Sequence, residues 1–254
     1  MALRLTGKMP VPRGKNLAAW ECRGPPSGDC DLEATMPRTY YPIMLDVTDR
    51  RCVVVGGGRV ALQKASALLE AGASVRVVAP RIDDALRGLC GVELCEAAYG
   101  PASLDGAALV VAATDSPEVN ARVFADCRAR GVLCNVVDRP ECCDFILPSV
   151  LRRGLLTVAV STGGASPSLA GRLRRRLEEQ FDAAYGPLLE ALAAARVLVQ
   201  RRVDDEAVRR RIAADLASDE LLKAARQGQT ALDSAVRRVL EHYGIADDDD
   251  ANAV

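Results

Sequence analysis

The stretch Cys52-Val53-Val54-Val55-Gly56-Gly57-Gly58-Arg59-Val60-Ala61 decides the fold. An apolar, β-branched run ends in glycines, which reads as a central parallel strand followed by a sharp bend. Gly56, Gly58 and Ala61 fit the spacing G-x-G-x-x-A, directly after the strand and directly before a helical pattern. A dinucleotide site needs these residue types. The first glycine permits the turn, the second lets the backbone approach a pyrophosphate, and the small third residue lets helix and strand pack closely. N–H groups at the helix start, with the macrodipole, then stabilise phosphate by ~1 kcal/mol before specific hydrogen bonds. The competing reading is a glycine turn that serves backbone geometry alone.

Outward from this bend, strands and helices alternate. Residues 60–69 place Ala61, Ala65, Leu68 and Leu69 at helical spacing and stop at Gly72. Val75-Arg76-Val77-Val78 is a second strand, ended by Pro80. A short helix over 82–89 and strands over 92–95 and 108–113 follow. Ser116 suits an N-cap and Pro117 the first helical position, so a helix runs from there to about 130 and stops at Gly131. Residues 133–137 are the next strand. This alternation predicts an α/β fold with a Rossmann-type, doubly wound parallel sheet. A further strand is expected over 155–161. Beyond it Leu169, Leu173, Leu177 and Phe181 recur every fourth residue, as do Leu188 and Leu192, then Val208, Ile212 and Leu216, then Leu232, Val236 and Leu240. These are amphipathic helices, each expected to pack one face on a core.

Composition narrows the partners. The 254 residues are 49% hydrophobic but only 4% aromatic, so the core is built from Ala, Val and Leu. A net charge of −1 predicts neither nucleic acid nor an anionic membrane as partner. The longest apolar runs fall short of the ~20 residues of a membrane span. Nine cysteines, with Cys142 and Cys143 adjacent and no C-x-x-C pair, form no metal framework. They read as small buried hydrophobes in a reducing cytoplasm. His242, the one histidine, reads as a helix-surface or capping residue. Residues 1–38 lack periodicity and any secretory h-region, and read as a disordered extension or as the result of a start placed too early, with Met36 the alternative start. Residues 247–254 hold the acidic run Asp247 to Asp250 and read as a solvated tail.

Four places carry candidate chemistry, each with a structural alternative. After the second strand the carboxylate expected ~20 positions beyond the glycines, to hold a ribose 2′-hydroxyl, is missing. Val78-Ala79-Pro80-Arg81 stands there, and no carboxylate comes before Asp83. Either backbone groups at Ala79, Pro80 and Arg81 hold the ribose or Arg81 accepts a 2′-phosphate, so NAD and NADP both stay open. Thr114 and Asp115 end a strand at the carboxyl edge of the sheet and face a cofactor, or else Asp115 or Ser116 caps the next helix. Asp138, after Asn135-Val136-Val137, ends a strand at the same edge, where a carboxylate accepts a proton or orients a substrate N–H, or else caps a turn before Pro140. Ser161-Thr162-Gly163-Gly164-Ala165-Ser166 precedes a helix at Pro167 and makes an anion site, or an ordinary turn with an N-cap. The run Arg172, Arg174, Arg175 and Arg176 reads first as a solvated helix face.

Taken together, VVVGGGRVA (53–61), LLEAGASVRVVAP (68–80), VVAATDSPEVN (110–120), CNVVDRPECCDFILPSVLRRG (134–154) and VAVSTGGASPSLAGRLRRRLE (158–178) resemble precorrin-2 dehydrogenase, the module that also forms the amino-terminal part of bifunctional siroheme synthase. The resemblance covers residues 41–181 clearly and the later helices weakly. It implies oxidation of precorrin-2 to sirohydrochlorin with NAD⁺, and in some members insertion of Fe²⁺ as well. It implies a Rossmann domain over 39–147, a dimerisation region over 148–180, a helical domain over 181–246 and a cytoplasmic homodimer. The key aspartate of the family falls on Asp138, and its cofactor contacts fall on Arg59, Val60, Pro80 and Arg81. The family also lacks the ribose carboxylate, which counts for NAD. Around the tetrapyrrole, Asn135, Arg139, Arg152, Arg153, Ser161, Thr162, Gly163, Gly164 and Ser166 are candidates. No methyltransferase half is seen, so methylation is expected from another protein. The rivals are a bifunctional dehydrogenase and chelatase, and a non-catalytic NAD-sensing module.

Overall fold

A computed structural model describes residues 39–245. The expected extension over 1–38, the alternative start at Met36 and the acidic tail over 247–254 lie outside the described residues. Five strands form one sheet: β1 (Arg51–Val55), β2 (Ser74–Val78), β3 (Val92–Cys95), β4 (Leu109–Ala112) and β5 (Leu133–Val136). Their spatial order is β3-β2-β1-β4-β5 and every pairing is parallel. The order reverses between β1 and β4, the switch point outside whose carboxyl ends such sheets bind ligands.

Alternation along β1 builds a core on each face. Cys52 and Val54 pack with Ala61 and Ala65 of α1 (Arg59–Glu70). Val53 and Val55 pack with Val123 and Cys127 of α3 (Pro117–Arg130). Each of these valines, buried to 1% exposure or less, contributes about 1.5–3 kcal/mol. Because both faces are covered, the strand reads as a continuous apolar run. The helix signals also hold. Ser116 Oγ accepts from the Val119 N–H at 3.2 Å, Pro117 opens α3, and Gly131 closes it with φ +66°.

Three expectations need correction. The helix over 82–89 shrinks to one turn, α2 (Asp84–Arg87), because Ile82 is drawn into the core beneath the sheet edge and Gly88 caps the turn. The strand over 155–161 is β7 (Leu156–Val160). It pairs antiparallel with an unanticipated β6 (Ser149–Arg153) as a separate hairpin. Arg152 and Arg153 hid β6, in which Leu151 alone is fully buried. Gly154, at φ +54°, turns the hairpin where a Cβ would lie 3.0 Å from Gly186 Cα. The leucine row of α4 (Pro167–Gln180) does not face a core in this chain: Leu169 and Leu173 are 37% and 36% exposed, and Ala170 is the buried residue. Arg172, Arg175 and Arg176 are exposed, as a solvated face requires.

The remaining helices are α5 (Tyr185–Arg202), α6 (Glu206–Leu216), α7 (Asp219–Gln227) and α8 (Gln229–His242). Leu188, Ile212, Leu216, Leu232 and Leu240 form their shared core, as the spacing predicts. The helix α7 had gone unread because two of its three buried residues are Ala224 and Ala225. His242 ends α8 at the surface, its ring edge-on to Tyr243 at 5.0 Å. No helix among the described residues is long and apolar enough to cross a membrane.

Candidate functional site

The carboxyl ends of β1, β2, β4 and β5 lie along one edge of the sheet, and the candidate residues gather there. At the end of β1, Gly56 takes φ +135° and donates its N–H to the Val78 carbonyl at 2.9 Å. A Cβ on Gly56 would sit 2.3 Å from the Ala113 carbonyl oxygen, so the first glycine is required by the strand end beside it. Gly57 occupies the free position of the motif, yet it is equally constrained. A Cβ there would lie 1.9 Å from the Arg81 carbonyl oxygen and 3.0 Å from the Ala79 Cβ. Gly58 is different: its nearest neighbour would be Asp83 Oδ2, at 3.9 Å. It is the N-cap of α1 and, having no side chain, leaves the first-turn N–H groups of that helix uncapped. Gly58 therefore presents an open backbone face backed by a helix N-terminus, the cradle a pyrophosphate needs. Ala61, fully buried, lets α1 lie close on the sheet.

Residues 79–83 roof this turn. Ala79 is buried and donates to the Cys95 carbonyl at 3.1 Å, while Pro80 and Arg81 are exposed. The Asp83 N–H donates to the Gly57 carbonyl at 2.9 Å. Arg59 and Val60, also exposed, follow the turn on the helix side.

At the end of β4 the loop is built by its own polar groups. Ser116 caps α3, and Thr114 is locked within the loop: its hydroxyl donates to Asn120 Oδ1 at 2.8 Å and accepts from the Ser116 N–H at 3.2 Å. Asn120, buried at 8% exposure, returns a bond from Nδ2 to the Thr114 carbonyl at 3.0 Å. Asp115 is exposed. Nothing in the sequence had distinguished Asn120 from a surface residue of α3.

At the end of β5, Asp138 stands at the apex of a laced loop. Its backbone is left-handed, φ +60°, a region that Asp tolerates better than most residues but that still costs energy. The return segment is tied to β5: the Asp144 N–H donates to the Cys134 carbonyl at 2.8 Å, and Cys134 N–H to Asp144 Oδ2 at 3.0 Å. The buried Cys143 thiol lies 3.2 Å from the carbonyls of Val136 and Arg139. Asn135 is also part of this lacing. It is buried, and its Nδ2 donates to the Phe145 carbonyl at 2.9 Å. Its amide thus holds the loop that carries Asp138. Arg139 is exposed and pairs with Glu141 at 3.5 Å, an interaction weak enough at a surface to be exchanged for another anion. Lys64, unmarked by any motif, faces this carboxylate from α1. Burial pulls its ammonium below the usual lysine range, and the Asp138 charge offsets part of that shift. Flanked by Gln63 and Ser66, it carried no signal in the sequence that set it apart from a surface lysine.

The turn before α4 uses its own polar groups. Ser161 Oγ accepts from the Gly163 N–H at 3.1 Å, Thr162 Oγ1 from the Ser166 N–H at 3.0 Å, and Ser166 Oγ from the Leu169 N–H at 3.2 Å. Ser166 is therefore the N-cap of α4. Gly163 and Gly164 both take positive φ, at 63° and 88°. Beside them Leu147, Pro148, Ser149 and Val160 help line a cavity of about 250 Å³. Arg153 is committed too, with Nε donating to the Phe181 carbonyl at 3.1 Å. Arg152 lies 3.9 Å from Glu70 of α1. Among the described residues no group of three or more His, Cys, Asp or Glu side chains converges as a metal site.

Comparison with known proteins agrees with this geometry. Residues 43–149 match a family model described as NAD(P)-binding, and residues 153–180 match the model of the sirohaem biosynthesis protein central region. A siroheme synthase of Chromobacterium violaceum is 44% identical over 195 residues, covering 76% of this chain and 42% of the relative. That of Methylobacillus flagellatus is 46% identical over 164 residues, covering 63% of this chain and 35% of the relative. The chain thus spans well under half the length of these curated relatives. A solved structure described as SirC, precorrin-2 dehydrogenase, superposes with a TM-score of 0.64 at 24% identity, covering 80% of this chain and 100% of that one, and shows the same fold. With both models in tandem along one stretch and relatives above 40% identity, the chain is similar to the NAD(P)-binding and central modules of siroheme synthase.

Proposed function

We propose that this chain is an NAD-dependent dehydrogenase that oxidises precorrin-2 to sirohydrochlorin, with Asp138 as proton acceptor or orienting group. The observation that carries the reading is a carboxylate held on left-handed backbone at the same sheet edge as the glycine turn. Strain of that kind persists only where the surroundings impose it, and it gathers at working sites. Likeness to siroheme synthases and to a precorrin-2 dehydrogenase supports the substrate class. NAD⁺, when bound, supplies the hydride acceptor. The open face of Gly58 and the uncapped first turn of α1 would hold its pyrophosphate, with Arg59, Val60 and the roof from Ala79 to Arg81 around it. Asp138 takes the proton that must leave the macrocycle, with Lys64 of α1 facing it. Arg139 and the Gly163-Gly164 turn meet substrate carboxylates.

Purified protein given precorrin-2 and NAD⁺ without metal is expected to form sirohydrochlorin. A rate no faster than that without protein overturns the reading. Adding Fe²⁺ in a second step asks whether Asp138 also takes the pyrrole N–H protons during chelation. We divide the chain as its family resemblance suggests, at 39–147, 148–180 and 181–246, and infer a homodimer formed through the middle segment. The exposed Val150, Leu155, Leu169 and Leu173 of that region support the inference, because apolar groups left open on a hairpin and its neighbouring helix invite a second copy. Light scattering is expected to find a dimer, and Leu173→Glu a monomer; a monomeric parent chain would refute it. The seven described cysteines are all free thiols, which supports a cytoplasmic setting.

A further inference from the structure

The ribose carboxylate missing from the end of β2 has a spatial replacement. Val78 and Ala79 are buried, and no acidic residue stands where the dinucleotide fingerprint places one. The chain then folds back across the glycine turn, and the Asp83 N–H is tied to the Gly57 carbonyl at 2.9 Å. That bond fixes the position of a short side chain. Asp83 Oδ2 is consequently the atom nearest the open face of Gly58, 3.9 Å from where a Cβ would be. Asp83 is also the N-cap of α2, yet its carboxylate accepts no hydrogen bond from that helix. Among the described residues its oxygens carry no other partner, so their lone pairs are uncommitted. Exposure leaves them reachable from outside.

We propose that Asp83 is the residue that selects NAD over its 2′-phosphorylated counterpart, accepting hydrogen bonds from the adenosine ribose hydroxyls. This rests on the reading of the glycine turn as a dinucleotide site. A carboxylate accepts from both vicinal hydroxyls. The same charge repels a phosphate dianion in place of one hydroxyl. Arg81 would act in the opposite sense, by attracting a 2′-phosphate. The geometry favours Asp83, because its oxygen is held against the turn by a backbone hydrogen bond two bonds from its Cβ. Arg81 instead contributes its carbonyl to the roof over Gly57, and its long side chain is at the surface.

The test is the dissociation constant of NAD⁺ and of NADP⁺, measured by calorimetric titration on the parent chain, Asp83→Asn and Arg81→Ala. The parent is expected to prefer NAD⁺. Asp83→Asn is expected to shrink that preference by about tenfold or more, through weaker NAD⁺ and stronger NADP⁺ binding. Arg81→Ala is expected to leave the preference in place. An unchanged ratio in Asp83→Asn, with NAD⁺ still bound, overturns the assignment alone. So does a parent chain that prefers NADP⁺. A parent chain that binds neither nucleotide overturns the dinucleotide site itself, and this inference with it. Unfolding curves on each variant identify a change of fold, which an isosteric, exposed replacement such as Asp83→Asn is not expected to cause.

Discussion

Asp138→Ala lowers the turnover of precorrin-2 by about 10²–10⁴-fold while leaving NAD⁺ affinity nearly unchanged, the range expected for loss of a positioned proton acceptor. The backbone complicates this variant, because Ala tolerates left-handed φ less well than Asp and costs ~1 kcal/mol there. Asp138→Asn separates the two effects. It keeps a residue type suited to φ +60° and removes only the charge. Asp138→Asn is expected to match the parent in unfolding temperature and Asp138→Ala in lost turnover. Steady-state kinetics with a parallel NAD⁺ titration decides the matter. Unchanged turnover in either variant removes Asp138 from the mechanism.

The second large effect concerns the glycines, which the structure makes unequal. Gly57→Ala forces a Cβ to 1.9 Å from one backbone oxygen and 2.9 Å from the carbon that bears it. Neither atom can rotate away as a side chain would, so the roof over the turn must move. The expected result is a loss of ~1–3 kcal/mol in stability. NAD⁺ affinity falls with it, by ~100-fold or more, because the cradle loses its shape. Gly58→Ala meets no protein atom closer than 3.9 Å. It should melt with the parent chain and still bind NAD⁺ poorly, because its new methyl points into the open face. Thermal unfolding followed by circular dichroism, with nucleotide titration, checks both. Equal melting of Gly57→Ala and the parent would contradict the packing described here.

The centre of the sheet was readable because β1 and β4 are buried on both faces and need no partner to declare themselves apolar. Ser116-Pro117 and Gly131 marked a helix for equally local reasons. What escaped the sequence depends on residues brought together from afar. The motif leaves Gly57 free, and the Arg81 carbonyl removes that freedom. Asn135 carries the right chemistry for a pocket, but Phe145 claims its amide. In the same way Asn120 holds Thr114, Ser166 caps its own helix, and Arg153 reaches the Phe181 carbonyl. Polar side chains near a site are as often used to build its loops as to meet its ligand, and spacing cannot tell the two apart. The row from Leu169 to Leu173 shows the converse case. Periodicity correctly found an apolar face, but it could not say that Leu169 and Leu173 would stay more than a third exposed. Asp83 was legible as a carboxylate and misplaced by its number, since only the fold brings it back over the turn.

In the proposed reaction the glycine turn and Asp138 serve one oxidation. The decisive quantity is the yield of NADH during anaerobic conversion of precorrin-2 by the purified chain. NADH and sirohydrochlorin are expected in equal amounts, at a rate that depends on Asp138. Sirohydrochlorin formed without NADH, or no reaction faster than that without protein, would contradict it.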